Sequence, residues 1–557
     1  MDSRLPNVAI AVFFISLGIL VPSSVLIESL RTVPADLAEP LLAGATLLRI
    51  GLVVLGLVIL GVSRMSLSTA AETRGRTDAE VQSKADLGVL VLILSIALVL
   101  RLYDLGAGLW HDEVLTYVTY ARMPFGEIIS TYRDQNQHFL YTLLAHASLD
   151  LFGESAWSLR LPAALFGVAS IWALYLLGRR VTTNREALLS SALLAVSYHH
   201  IWFSQNARGY IGLLFWTLLG SWLFLRSLDE GQPGLWIRYA VAAALGVYTN
   251  TAMVFVIVSH FIIYLHQVVM RRNGPLAQSW SGFYLGFCMA GFLTLLLHAL
   301  VLPQMMHGLV GEESTVAAWK NPLWAFWEFA HAIQFGFAGS LAALAAFFVF
   351  GLGLWSFART SPVIIALLIL PALLCASVVI GMGHHVWPRL FFFSFGFAVL
   401  ILIRGAMMLG KIMSRVLSIE TAKALPIGTA FSIGLILVSA LMMPRAYAAK
   451  QDFQGALNFV EAAKQTGDAI ATVGLATFTY RNFYKRDWKE VKSVNDLNAV
   501  RSKAKHTWLL YTFPTHVGAV YPEIMATIEK DFQIIKQFPG TVGDGTIFVA
   551  RSNDTHS

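Results

Sequence analysis

The chain has 557 residues, of which 56% are apolar and 13% charged, with a formal net charge of +7. That much apolar surface with so little charge excludes a soluble globular protein and sets the class as a polytopic membrane protein. The modest positive balance reads as Lys/Arg loops facing anionic lipid, not as a nucleic-acid footprint. Two cysteines, Cys288 and Cys375, lie inside apolar runs without zinc-like spacing, and the count excludes a disulfide framework.

The first apolar run, 7–27, has no small-x-small cleavage site and is followed by a second, so it reads as a retained helix. Runs of spanning length continue at 41–63, 87–104, 158–178, 187–203, 209–226, 237–249, 251–268, 281–302, 339–357, 362–382, 387–409 and 424–443. The ~20-residue criterion gives about 13 spans. Tyr248-Thr249-Asn250-Thr251 divides what is otherwise one long run over 237–268.

Arg179-Arg180 with Arg185, Arg226 with Arg238, Arg271-Arg272, Arg359, and the group from Arg404 to Lys423 lie in short loops. These alternate correctly if all are cytoplasmic, together with the N-terminus and the linker 64–86. The opposite face then collects the loop 105–157, the segment 204–210, the loop 303–338, the segment 383–389 and the tail 444–557. Within 105–157, Met123, Phe125, Ile128, Ile129 and Tyr132 space for one helix face, with Glu127, Ser130 and Arg133 largely on the other. A surface-lying amphipathic helix and an ordinary loop helix packed on protein both satisfy that pattern.

The tail changes character. It reads as helices near 451–465 and 519–530 with strands near 468–474, 506–513, 532–538 and 545–551, a small soluble α/β domain of ordinary size. No Gly-x-Gly-x-x-Gly fingerprint follows its first strand. The expected organisation is two additional helices and a linker (1–86), a mostly α transmembrane bundle (87–443), and an extracytoplasmic α/β domain (444–557).

Trp110-His111-Asp112-Glu113 directly follows the third run. A carboxylate pair where a membrane helix meets water is costly unless solvated or paired, which makes it a functional candidate; the plainer reading is an acid pair marking the water boundary. The charge count that oriented the helices used no functional assumption, yet it puts the chemistry-bearing residues on one face, and this favours the functional reading. A general base needs a carboxylate within reach of the proton it takes, and Asp112 and Glu113 are the first candidates. Asp134 and His138 lie further along the same loop, although His138 equally suits a polar helix start. Arg208, flanked by Gln205 and Tyr210, and Arg389 carry planar forks suited to phosphate, while an arginine at a membrane boundary also simply snorkels. An acid with two permanent cations suits displacement of a phosphate leaving group by a hydroxyl. His111, His138, His199, His200, His384 and His385 invite a metal reading, but their spacings match no zinc signature. A carboxylate-bound divalent cation is left open.

These residues carry a resemblance. Trp110-His111-Asp112-Glu113, the stretch from Leu151-Phe152-Gly153-Glu154-Ser155 to Ser158-Leu159-Arg160-Leu161-Pro162, Ser204 to Tyr210, and Trp387-Pro388-Arg389 resemble the GT-C membrane glycosyltransferases of the dolichyl-phosphate-mannose–protein mannosyltransferase type. The likeness is closer to their bacterial relatives, among them the aminoarabinose transferases. It covers roughly 87–410. It implies a multi-pass protein of the plasma (inner) membrane and a polyprenyl-phosphate-linked sugar donor. It further implies inverting transfer on the non-cytoplasmic face to a lipid, glycan or protein acceptor. Carried onto this chain, Asp112 becomes the base and Glu113 orients acceptor or sugar. Arg208, Tyr210 and Arg389 become candidates for holding the lipid phosphate. Apart from the resemblance, His111, Asp134, His138, Gln205 and His385 are candidate substrate-binding residues by their place on the same face. Relatives often carry His-Pro-Pro where this chain has Gln137-His138-Phe139-Leu140. The competing reading is a transporter or flippase of lipid-linked glycans, which needs charges near mid-membrane; the charges here gather at helix ends.

Overall fold

The computed structural model describes residues 5–64, 84–270, 280–308, 339–384, 386–418 and 424–553, with a few positions between 316 and 330. Among them, nine helices are long and apolar enough to cross a membrane, or ten if the bent pair Pro6–Leu20 and Ser23–Leu30 counts as one span. The other three expected spans are shorter helices. Pro233–Thr249 has 17 residues, and 281–302 becomes a π-turn, Gly282–Cys288, running into Met289–His298.

The third, 187–203, is broken in two, Asn184–Ala195 and Tyr198–Ser204. The buried guanidinium of Arg101 explains the break. It donates to the Leu194 and Ala195 carbonyls and to His200 Nδ1 at 2.6 Å, taking up the carbonyls that a helix end leaves without partners. His200 passes the connection on through Nε2 to Ser170 Oγ.

The Gly-Glu-Ser stretch is a helix-to-helix corner. Gly153 at φ +84° ends Phe139–Phe152, and Ser155 accepts from the Ser158 amide to start Ala156–Val181. The expected amphipathic helix is only Phe125–Ser130. Its Ile128 side is buried on protein, and its Gly126 lies so close to the Leu30 carbonyl that no side chain fits between them. This is the packed loop helix, held by the N-terminal helices.

The C-terminal residues build a five-stranded sheet of order β2-β1-β3-β5-β4. Here β1 is Ala469–Val473, β2 Lys489–Val491, β3 Thr507–Thr512, β4 Phe532–Phe538 and β5 Ile547–Ser552. β1 runs parallel to β2 and β3, while β5 is antiparallel to β3 and β4. The four strands expected from sequence are present. β2 is not legible because its three residues carry two charges and no alternation.

Helices Ser340–Thr360 and Phe395–Val416 meet through a reciprocal glycine contact. Gly353 faces the Ile401 carbonyl and Gly405 the Val349 carbonyl, each so closely that a Cβ would overlap backbone. Without a hydrophobic drive in lipid, such close backbone approach supplies the packing energy. Gly405→Ala is expected to destabilise the detergent-solubilised protein by about 1–3 kcal/mol. Gly351→Ala, where nothing lies within 4 Å, should leave the thermal midpoint unchanged.

Candidate active site

Glu113 sits in the short helix His111–Leu115 and is fully buried. Its carboxylate receives Arg160 Nε at 2.7 Å and Nη2 at 2.5 Å, a bidentate fork, and also the backbone amides of Ala207 and Trp110. Arg160 spends its remaining donors on the carbonyls of Leu105, Ala107 and Gly108. Burial alone would raise the Glu113 carboxyl pKa; the Arg160 fork outweighs it and holds the group below the ordinary carboxylate value. Both oxygens are occupied, so Glu113 is a pin joining the loop after Lys84–Leu102, the start of Ala156–Val181 and the segment before Tyr210. Its carboxylate is turned into the protein, whereas the expectation from sequence had it orienting acceptor or sugar.

The pin leaves Asp112, one residue earlier, 17% exposed. Arg208 and Arg389 both donate to the same oxygen, Oδ2, Arg389 at 3.1 Å. Burial pushes the Asp112 carboxyl up, and the two guanidiniums more than reverse it, holding the group below its usual range. Arg208 lies over the Tyr210 ring and contacts His138 Nε2 at 3.4 Å, while His138 Nδ1 donates to the Thr249 carbonyl. Gly209 allows this packing: a Cβ there would come within 2.6 Å of the same carbonyl oxygen. Burial pushes the His138 imidazole down to about 3, so it is a neutral acceptor. Arg389 enters from the 3-10 turn Pro388–Ser394, its guanidinium over Trp387.

Asp112, His138, Arg208, Tyr210 and Arg389 therefore converge. Asp134 does not join them; it caps its own turn by accepting from the Asn136 amide. Gln205 is structural, donating to the Arg101 and Tyr103 carbonyls. His111 is buried against the C-terminal sheet region, its amide on Gln451 Oε1 and its ring on Thr479 Oγ1. His385 lies outside the described residues. No group of three His, Cys, Asp or Glu side chains able to hold a metal occurs among the described residues. Asp112 and Glu113, the adjacent carboxylates of the loop, are each paired with arginine side chains.

Beside Arg389 opens a cavity of about 240 Å³, walled by aromatic side chains including Trp110, Trp202 and Phe392, and closed by Thr541, Val542 and Gly543 from the turn between β4 and β5.

Residues 136–298 match the family model described as dolichyl-phosphate-mannose-protein mannosyltransferase. A putative mannosyltransferase, YkcB of Bacillus subtilis, is 25% identical over 193 residues, 32% of this chain; the matched stretch spans 26% of that relative's length. Among solved structures, the archaeal oligosaccharyltransferase AglB from Archaeoglobus fulgidus, in complex with an inhibitory peptide and a dolichol-phosphate, is similar. It aligns at a TM-score of 0.50 and 12% identity, over 85% of this chain and 74% of that one. ArnT from Cupriavidus metallidurans aligns at a TM-score of 0.44 and 12% identity, over 84% and 98%. The chain has the GT-C fold of membrane glycosyltransferases.

The stretch matched by the family model includes Arg160 and Arg208 but neither Asp112 nor Arg389. Arg160, together with Lys450, Asn206 and Trp202, was not singled out as a site residue from sequence. The signal for Arg160 was present: a lone charge near the start of an apolar membrane helix needs a partner. Lys450 gave no such signal, because its burial depends on the fold.

Arg160→Met leaves Glu113 buried and unpaired, and is expected to cost about 3–5 kcal/mol. The folded Glu113 carboxyl titrates below its ordinary 4.5. The pair's contribution is therefore complete above that value and is lost as pH falls through the lower folded pKa. Unfolding in detergent across pH should show the wild-type advantage over Arg160→Met shrinking in acid. His138, neutral when folded and 6.5 when free, adds an acid sensitivity that sets in as pH falls from 6.5 toward 3. Its His138→Gln variant should keep the wild-type activity profile shape between about pH 6.5 and 8.

Proposed function

We propose that this protein transfers a single sugar from a polyprenyl-phosphate-linked donor to an acceptor hydroxyl or phosphate, with inversion, on the extracytoplasmic side of the membrane. The observation that carries the reading is one carboxylate, Asp112, held between two arginines beside an aromatic cavity. The matching family description, which names a dolichyl-phosphate sugar, supports the donor class.

The acceptor oxygen attacks the anomeric carbon while the bond from that carbon to the phosphate oxygen breaks. The electron pair leaves with the polyprenyl phosphate, and the acceptor proton passes to Asp112. Positive charge develops on the sugar ring and negative charge on the leaving phosphate; Arg208 and Arg389 stabilise the latter, and Asp112 favours the former. Asp112 with its two arginines carries a formal charge of +1, so the site is electrostatically ready for an anion. A donor phosphate competes with Asp112 for the guanidiniums, and each hydrogen bond drawn away makes Asp112 a stronger base. The base is thereby weak without donor and strengthened by it. His138, neutral, orients Arg208 without adding charge, and Glu113 and Arg160 hold the loop.

The organisation that goes with this reading is an N-terminal helical addition (1–86), a catalytic bundle (87–443) and a C-terminal α/β domain (444–557). The N-terminus is cytoplasmic and the C-terminal domain lies on the side of Asp112, as the distribution of Lys and Arg in short loops supports.

Asp112→Asn keeps the shape and removes the base and its charge. Its rate is expected to fall on the order of 10²-fold or more. The measurement is sugar release from a panel of polyprenyl-phosphate sugars, with a membrane extract as acceptor source and the folded state checked alongside. A folded Asn variant that works as well as wild type removes Asp112 from the reaction. A wild type that consumes no donor removes the transfer reading.

A further inference from the structure

Three tryptophans, Trp110, Trp202 and Trp387, line the cavity beside Arg389, and the first two have their indoles locked. Trp110 Nε1 donates to Asn206 Oδ1 at 3.2 Å, and Trp202 Nε1 donates to Thr541 Oγ1 at 2.8 Å. Lys450 places its ammonium over the Trp202 ring, 5.1 Å from the centroid, while donating to the Gln205 carbonyl. The Phe203 and Trp110 rings brace the same indole. Thr541 is itself fixed from the other side. Its amide donates to the Ala449 carbonyl and that of Val542 to the Lys450 carbonyl, and Gly540 sits so close to the Lys450 carbonyl that a Cβ there would overlap it. A wall of the transmembrane site is thus set by a turn of the C-terminal sheet.

The size and chemistry of the cavity choose its occupant. At about 240 Å³ it is smaller than the roughly 300–1,000 Å³ of sites for drug-sized ligands, and it combines aromatic walls with a few placed polar groups. That is room for one sugar ring. Arg389 reaches both Asp112 and this cavity, so a phosphate on Arg389 places its attached ring at the cavity mouth. The apolar face of a sugar packs on an indole, while its hydroxyls meet polar side chains such as Asn206 and Thr541.

We infer that this cavity holds the sugar ring of the donor, and that Thr541 is a specificity-determining residue that positions the Trp202 indole against that ring. The inference rests on the transfer reading above. The platform is preorganised: its rotamer is fixed before the donor arrives, so binding a ring does not also have to order this side chain. Selectivity among sugars then resides partly in the sheet domain, outside the residues that touch the phosphate.

The test is steady-state transfer from polyprenyl-phosphate hexoses and pentoses by wild type, Thr541→Val, Thr541→Ser and Trp202→Phe, with direct binding of sugar-free polyprenyl phosphate measured in parallel. Thr541→Val should raise KM for the preferred donor about tenfold, keep kcat within about twofold, and narrow the preference between sugars. Thr541→Ser should restore wild-type behaviour, and sugar-free polyprenyl phosphate should bind all four proteins alike. Trp202→Phe, which removes the indole directly, carries the same expectation if Thr541→Val does not fold. A sugar preference unchanged in Thr541→Val and Trp202→Phe overturns the inference and leaves the transfer reading intact. Equal weakening of sugar-free polyprenyl phosphate overturns it by assigning the cavity to the lipid phosphate. A wild type that consumes no donor overturns the transfer reading and this inference with it.

Discussion

The buried pair of Arg160 and Glu113 is the constraint on which the candidate site depends. Taking two charges out of water costs several kcal/mol per ion, and the cost is met only where geometry is close to ideal and the remaining donors are used. Here the fork is bidentate, and the other donors of Arg160 close on three carbonyls of the incoming loop, those of Leu105, Ala107 and Gly108. Glu113 extends the same network to the Ala207 amide. One ion pair therefore locates both the segment that carries Asp112 and the segment that carries Arg208. Its worth lies in registry more than in stability.

The next residue turns that registry into electrostatics. Asp112 keeps its charge in a poorly solvated place because two arginines arrive from distant parts of the chain, one before Tyr210–Glu230 and one at the start of the span Pro388–Val416. The arrangement is stable as an ion triad and carries one surplus positive charge. A neutral His138 orients Arg208 without changing that count, since burial keeps its imidazole unprotonated. Such a site favours an anion over a cation.

The C-terminal sheet is not a separate attachment. The strap from Ala449 to Gln451 threads between the acid loop, the helix Tyr198–Ser204 and the turn after β4. Gln451 receives the His111 amide, and Lys450 lies against Trp202 and the Gln205 carbonyl. Burial draws the Lys450 ammonium down to about 7. Its folded pKa lies below the free value of 10.5, so the desolvation penalty is full below about 7 and is relieved as pH rises from there toward 10.5. The cation over the indole fades across the same lower boundary.

The sequence by itself determined the membrane class, ten of the thirteen spans read from run length with the bent N-terminal pair counted as one, the four longer strands of the tail, and the candidacy of Asp112, Arg208, Tyr210 and Arg389. Those conclusions follow from local quantities: apolar run length, alternation, and the placement of Lys and Arg. Tertiary structure alone decided which polar residues share a site. Glu113 and Asp112 are adjacent and look equivalent, yet one is sealed against Arg160 and the other faces two arginines, because successive side chains of a helix point in different directions. Gln205 and His111 read as substrate contacts but spend their hydrogen bonds on backbone and on the sheet domain. The break at 196–197 hangs on Arg101, more than ninety positions away in the chain. Long-range pairing of this kind has no local signature, since a buried polar group is satisfied by whatever partner the fold brings to it.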